Sequence, residues 1–189
     1  MSDCTLYGSY TSPFVRHCRI VLLETGRPFE FEETNYDQSY ANSPTKRVPF
    51  LRDGDLHYYD SSAILHHLRD KAGQKFLPTP ADTELYALAN TVLDTAVNIF
   101  LLERDGISEY QSDYIQRQKD RVQSGLKALD GTDLSFDGTP GDPILRIACL
   151  LAWAEYRKRF TFSQFGNLAV MMDEVGALDA FQQTAPPPQ

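Results

Sequence analysis

The chain has 189 residues, 42% of them hydrophobic and 23% charged, an ordinary globular make-up that suffices for one large domain or two small ones. Its formal net charge is −8, with nine Lys/Arg against ten Asp/Glu through residue 79 and nine against sixteen beyond, so the basic face that nucleic-acid binding needs is not expected. No apolar run is read as approaching the ~20 residues of a membrane span, no room is left for a leader between Met1 and the first strand, and three cysteines without CxxC spacing point to a reducing, cytoplasmic setting rather than a disulfide framework or zinc site.

The first 78 residues alternate strand and helix signals. Leu6 and Tyr7 sit in a strand, and Gly8 to Thr11 form a polar loop. Pro13 suits a first helical position, where its missing N–H costs nothing. Phe14, Val15, Cys18, Val21, Leu22 and Thr25 then recur at helical spacing, with Gly26 as the stop. Ser12 thus stands at a helix N-terminus, where unpaired N–H groups and the dipole favour a thiolate, phosphate or carboxylate.

Phe29–Glu32 alternates like a half-exposed strand, and residues 35–45 read as a polar loop. Val48–Leu51 is a buried strand, Asp53-Gly54-Asp55 a hairpin turn and Leu56–Tyr59 its partner. Asp60-Ser61-Ser62 caps a helix through Ile64, Leu65 and Leu68, ended by Gly73. This β-α-β, β-β-α order predicts a thioredoxin-like domain over residues 1–78.

Leu77-Pro78-Thr79-Pro80 marks the boundary, and residues 79–189 read as all helix. Predicted helices cover Asp82–Arg104, Glu109–Leu129 with a stripe of Tyr110, Tyr114, Val122, Leu126 and Leu129, an apolar segment from Pro143 to Tyr156, and Asn167–Val175, with a last turn near Asp179–Gln183. Thr139-x-x-Asp142 is expected to cap the apolar helix. The histidines show no metal spacing such as HExxH, so no metal is expected.

With these residues in view, the chain resembles the glutathione S-transferase family over nearly its whole length. Ser12-Pro13-Phe14 is similar to the serine-type members, the plant tau class and some bacterial relatives among them. Val48-Pro49-Phe50-Leu51 followed by Asp60-Ser61 is similar to the family's Val-Pro-x-Leu…Glu/Asp-Ser module, and Thr139-x-x-Asp142 resembles its helical-domain capping box. The order and spacing of the three carry the likeness.

The resemblance implies a thioredoxin-like glutathione-binding domain followed by an all-α domain carrying the electrophile side of the cleft. It implies a cis bond before Pro49, with the backbone of Val48 pairing with the cysteinyl part of glutathione as a strand edge does. Asp60 and Ser61 are implied to hold the γ-glutamyl end, Lys46 or Arg47 the glycyl carboxylate. Ser12 is the implied catalytic hydroxyl, lowering the thiol pKa so that sulfur attacks a small hydrophobic electrophile. Tyr10 is the rival hydroxyl, while Tyr7 is expected to pack against the sheet. The family also implies a homodimer, with Tyr58-Tyr59 and the open side of Asp82–Arg104 as interface pieces. Two other readings stand beside this one: a non-catalytic module that binds proteins, and an isomerase or reductase using glutathione as cofactor. Asn90, Asp94 and Asn98 are candidates for facing the electrophile.

Overall fold

The computed structural model describes residues 3–188, Tyr36 and Tyr40 by backbone alone. Met1 and Ser2, on which the expectation of no leader rests, lie outside them. The chain divides into two compact units, Met1–Phe76 with Gly176–Gln189, and Leu77–Val175.

The first unit is built on a four-stranded sheet of β1 (Cys4–Gly8), β2 (Glu30–Glu33), β3 (Phe50–Asp53) and β4 (Leu56–Tyr58), in the order β2-β1-β3-β4. β1 runs parallel to β2 and antiparallel to β3, which pairs antiparallel with β4. Helices α1 (Pro13–Glu24) and α3 (Ser61–Lys71) pack together. Leu6, Leu51, Val15, Cys18, Ile20, Val21, Leu22, Ile64, Leu65 and Leu68 are all buried in this core. Gly26, Gly54 and Gly73 have positive φ at the turns where sequence placed a break.

Residues 35–45, expected as a loop, contain helix α2 (Tyr36–Asn42). Its signal is a capping box. Asn35 Oδ1 accepts from the Gln38 N–H at 2.9 Å, and the Asn35 N–H donates to Gln38 Oε1 at 3.0 Å. Polar composition hid the helix, because its buried positions include Ser39 rather than a stripe of aliphatic residues.

The second unit holds α4 (Pro80–Arg104), α5 (Asp113–Asp130), α6 (Asp142–Tyr156) and most of α7 (Gly166–Gly176). Thr79 and Asp82 form a reciprocal capping box at the start of α4. By length and composition α4 is long and apolar enough to cross a membrane, which corrects the expectation that nothing in the chain approaches that length. It packs against α5 and α6, the arrangement of a core helix.

Helix α5 starts at Asp113, capped by Ser112, and this shifts its buried stripe to Ile115, Gln118, Val122, Leu126 and Leu129. Tyr110 lies outside the helix, 90% exposed, and Tyr114 is 55% exposed, so neither belongs to the core expected of them. Helix α6 is buried along most of its length, including Cys149 and Trp153. Its N-cap is Gly141, which offers no side chain, rather than Thr139. Arg146 is fully buried and donates to the Tyr86 hydroxyl. An ionic cluster joins α4 to α5 and the segment after α6: Glu103 meets Arg159 and, at 2.8 Å, Lys119, which also reaches Glu109 at 2.8 Å.

Gly176–Gln189, expected within the helical domain, groups with the first unit. There α8 (Asp179–Gln183) lies against α1. Arg16 donates to the Phe181 carbonyl at 2.8 Å and to Thr184 Oγ1 at 3.4 Å, and Arg19 to the Thr184 carbonyl at 3.3 Å. Such long-range polar contacts leave no periodic trace in sequence.

Candidate active site

Three segments of the first unit leave the sheet at one end. The last β1–β3 pair is Tyr7 with Phe50, so the chain departs β1 toward Ser12 where it enters β3 from Pro49. β4 closes on the same side, Tyr58 opposite Leu51, and runs on through Tyr59 into Asp60 and Ser61. Both α1 and α3 therefore begin at this end, each presenting the positive pole of its dipole. Thr45 ties two segments directly: its Oγ1 donates to the Tyr59 carbonyl at 3.4 Å and lies 2.9 Å from Ser43 Oγ. Nothing local in the sequence marks Thr45, whose contact is made fourteen residues away.

Ser12 is the N-cap of α1, with φ −81° and ψ 126°, and Pro13 follows in the first turn. Its N–H donates to the Ser9 carbonyl at 3.1 Å, and its Oγ accepts from the Val15 N–H at 3.4 Å. A hydroxyl that accepts in this way keeps its own proton to donate. The residue is half-buried, and the first turn of α1 carries no acid to oppose an anion. Close approach of strand and helix needs Gly8, since a Cβ there would sit 2.4 and 2.8 Å from the Val15 methyls.

Tyr10 turns its ring onto Phe31 of β2, centroids 4.7 Å apart, and lies 4.8 Å beneath the Arg19 guanidinium. Burial lowers the Arg19 pKa from its ordinary value, an effect that Tyr10 opposes and Arg16 reinforces. Tyr7 stacks on Phe50 at 4.5 Å and 7°, the sheet packing expected of it.

The Val48–Pro49 bond is cis, with Pro49 buried and Val48 half-buried. Lys46 and Arg47 are exposed just before it, Lys46 with φ 56° and its N–H on the Ser43 carbonyl at 2.9 Å. Asp60 caps α3, its Oδ1 accepting from the Ser62 N–H at 2.8 Å and the Ala63 N–H at 3.3 Å. Ser61 beside it is 5% exposed. In the other unit, Asn98 Nδ2 donates to Asp94 Oδ2 at 3.0 Å along α4, while the buried Asn90 Oδ1 accepts no hydrogen bond from the described residues.

Residues 6–76 match the family model described as glutathione S-transferase, N-terminal domain. The chain is 27% identical to YibF, an uncharacterized glutathione S-transferase-like protein of Escherichia coli, over 96% of this chain and 98% of that one. Among solved structures it is similar to a glutathione transferase family member from Pseudomonas fluorescens with bound glutathione, at a TM-score of 0.85 and 22% identity, covering 98% of this chain and 100% of that one. A glutathione S-transferase from Methylobacterium radiotolerans, in complex with glutathione sulfonate, is similar at a TM-score of 0.83 and 22% identity, covering 98% and 96%. A thioredoxin-like sheet with its helices, followed by a helical region, and these likenesses together give the chain the glutathione transferase fold.

Proposed function

We propose that the chain is a serine-type, glutathione transferase-like enzyme that binds glutathione at the shared end of β1, β3 and α3 and activates its thiol with Ser12. One observation carries the reading: two helix N-termini, those of Ser12 and Asp60-Ser61, open beside the Val48 backbone at one end of the sheet. In this reading the Val48 N–H and C=O pair with the cysteinyl backbone. Ser61 and the N-terminus of α3 hold the γ-glutamyl carboxylate, and Asp60 takes the adjacent amine. Lys46 and Arg47 supply cations for the glycyl carboxylate.

Ser12 donates a hydrogen bond to the sulfur while keeping its own proton, and the α1 N-terminus adds positive potential. Both favour the thiolate over a thiol that otherwise titrates near ~8.5. The thiol proton passes to solvent, the sulfur lone pair forms a bond to the electrophilic carbon of a small hydrophobic substrate, and any leaving group departs with its electron pair. Ser12 forms no covalent bond. We further propose a homodimer working in the cytoplasm, a compartment in which the buried thiols of Cys4, Cys18 and Cys149 stay reduced.

The test is calorimetric titration of glutathione into the protein and into Ser12→Ala, with ultraviolet thiolate absorbance read on each complex. The expected result is binding by both and thiolate in the parent alone. A parent that produces no heat and no displacement by glutathione conjugates overturns the reading and leaves a protein-binding module as the function to pursue.

A further inference from the structure

A chain of polar side chains, buried at Asp53 and His67 and half-buried at Arg27 and Tyr58, runs from the turn after α1 through the end of β3 to α3 and the last residue of β4. Arg27 Nη2 meets Asp53 Oδ1 at 2.6 Å, Asp53 Oδ2 meets His67 Nε2 at 2.6 Å, and His67 Nδ1 lies 3.0 Å from the Tyr58 hydroxyl. The Asp53 and His67 side chains are only 8% and 9% exposed. The Tyr58 and His67 rings also stack, centroids 4.5 Å apart. Cys4 stands opposite Asp53 in the β1–β3 register; burial pushes its thiol up, and the neighbouring Arg27 pulls it down.

The chemistry gives this chain a direction. A carboxylate accepts only, so the Nε2 proton of His67 points to Asp53, and in the neutral imidazole this tautomer leaves Nδ1 without a proton. Nδ1 is then an acceptor and takes the Tyr58 O–H. Tyr58 is the last residue of a three-residue edge strand whose other members, Leu56 and His57, are exposed. His67 stands on the buried side of α3. Their contact, made nine positions apart, encloses residues 59–66, of which Tyr59, Asp60 and Ser61 come first. A further side-chain tether on this turn is the 3.4 Å bond from Thr45 to the Tyr59 carbonyl.

We infer that Tyr58, His67, Asp53 and Arg27 form a positioning relay that holds the Asp60–Ser61 turn in the shape that receives the γ-glutamyl group of glutathione. The inference rests on the glutathione reading above and deepens it, because it assigns affinity for one end of the ligand to residues that do not touch it. The relay leaves the thiol to Ser12 on α1. Removing one oxygen from Tyr58 therefore weakens γ-glutamyl recognition and leaves sulfur activation as it was.

The test compares the parent with Tyr58→Phe, which keeps the stacked ring. Three quantities are read: dissociation constants for glutathione and for cysteinylglycine, which lacks the γ-glutamyl group; the pKa of the bound glutathione thiol; and amide hydrogen exchange at residues 61–63. The expected result is a roughly tenfold loss of glutathione affinity. Cysteinylglycine binding and the thiol pKa stay unchanged, while exchange at 61–63 quickens relative to the start of α1. Equal loss for both ligands, or unchanged exchange at 61–63, overturns the relay. A parent that binds no glutathione overturns the ligand reading instead. In that case the exchange data alone decide whether Tyr58 holds the turn.

Discussion

Arg16 and Phe181 stand 165 residues apart in sequence, yet the Arg16 guanidinium lies 3.7 Å from the centroid of the Phe181 ring and donates to that residue's own carbonyl at 2.8 Å. Both are buried, at 7% and 6% exposure. The pair ties the end of the described chain to the helix that begins at Ser12. Phe181→Ala removes the ring and keeps the carbonyl, so it is expected to cost about 3 kcal/mol of stability, read from denaturant midpoints. A double-mutant cycle with Arg16→Met is expected to return a coupling of about 1 kcal/mol for the cation–ring contact. Strict additivity would show that the ring contact contributes nothing beyond its burial.

Ser12 has two separable effects. Its cap bond to the Val15 N–H is long, at 3.4 Å, so Ser12→Ala is expected to cost only about 0.5 kcal/mol of stability. Loss of the donated hydrogen bond is expected to reduce turnover about a hundredfold while glutathione affinity changes little, since the γ-glutamyl and backbone contacts remain. Tyr10→Phe is expected to leave turnover near the parent value, because that ring is engaged with Phe31 and Arg19. Steady-state kinetics on the two variants check this. Greater loss in Tyr10→Phe would transfer the role to the tyrosine.

Gly8 and Val15 set how closely β1 approaches α1. A methyl at residue 8 would overlap the Val15 side chain, which is fully buried, so Gly8→Ala is expected to cost about 2 kcal/mol. Because the Val15 N–H bonds Ser12, the displacement also moves the cap. The expected signature is a fall in thiolate absorbance of the glutathione complex along with the melting temperature. Gly8→Ala combined with Val15→Ala, which vacates that space, is expected to lose less stability than the two single changes added together.

The Glu103 cluster predicts a pH signature in the second unit. Burial raises the Glu103 pKa, but hydrogen bonds from Lys119 and Arg159 and their charges outweigh it and hold the carboxyl below its ordinary 4.5. Glu109 is held low by its bond from Lys119, and Lys119 is held above 10.5 by both acids. A lowered carboxyl contributes stability above its unfolded pKa and loses it as pH falls through the folded value; a raised ammonium contributes below 10.5 and loses it as pH climbs through its folded value. Glu103→Gln is therefore expected to destabilise by about 1 kcal/mol at neutral pH, an amount discounted for partial exposure. Denaturant titrations of parent and variant are expected to converge as pH falls through the lowered carboxyl range, and a gap of constant size would refute the ionic origin.

Local chemistry made much of the fold legible. Pro13 after Ser12, Gly26 and Gly54 at positive φ and Asp60 on the α3 N–H groups are short-range devices, and each acts where its residue type predicts, whereas the Thr79–Asp82 box starts α4 two residues before the expected Asp82. Helix α2 was equally local but required reading Asn35 with Gln38 instead of seeking an apolar stripe. Tyr110 and Tyr114 misled because aromatic residues at helical spacing look like core, whereas the Ser112 cap moves the helix start past the first of them. The candidate site residues stand out in the sequence as motifs but not as one surface. That Ser12, Pro49 and Asp60 emerge at one end of the sheet depends on strand register, and the Asp53 relay on contacts between β3, β4, α3 and the turn after α1.

The return of Gly176–Gln189 to the first unit makes that unit discontinuous, with all of Leu77–Val175 intervening. On the ribosome the sheet, α1 and α3 emerge early, yet the C-terminal partners of Arg16 and Arg19, Phe181 and Thr184, arrive only after the helical unit has been translated. Until then the side of α1 that receives Phe181 stays open to water or to a chaperone. The part of the protein made first is therefore the part completed last.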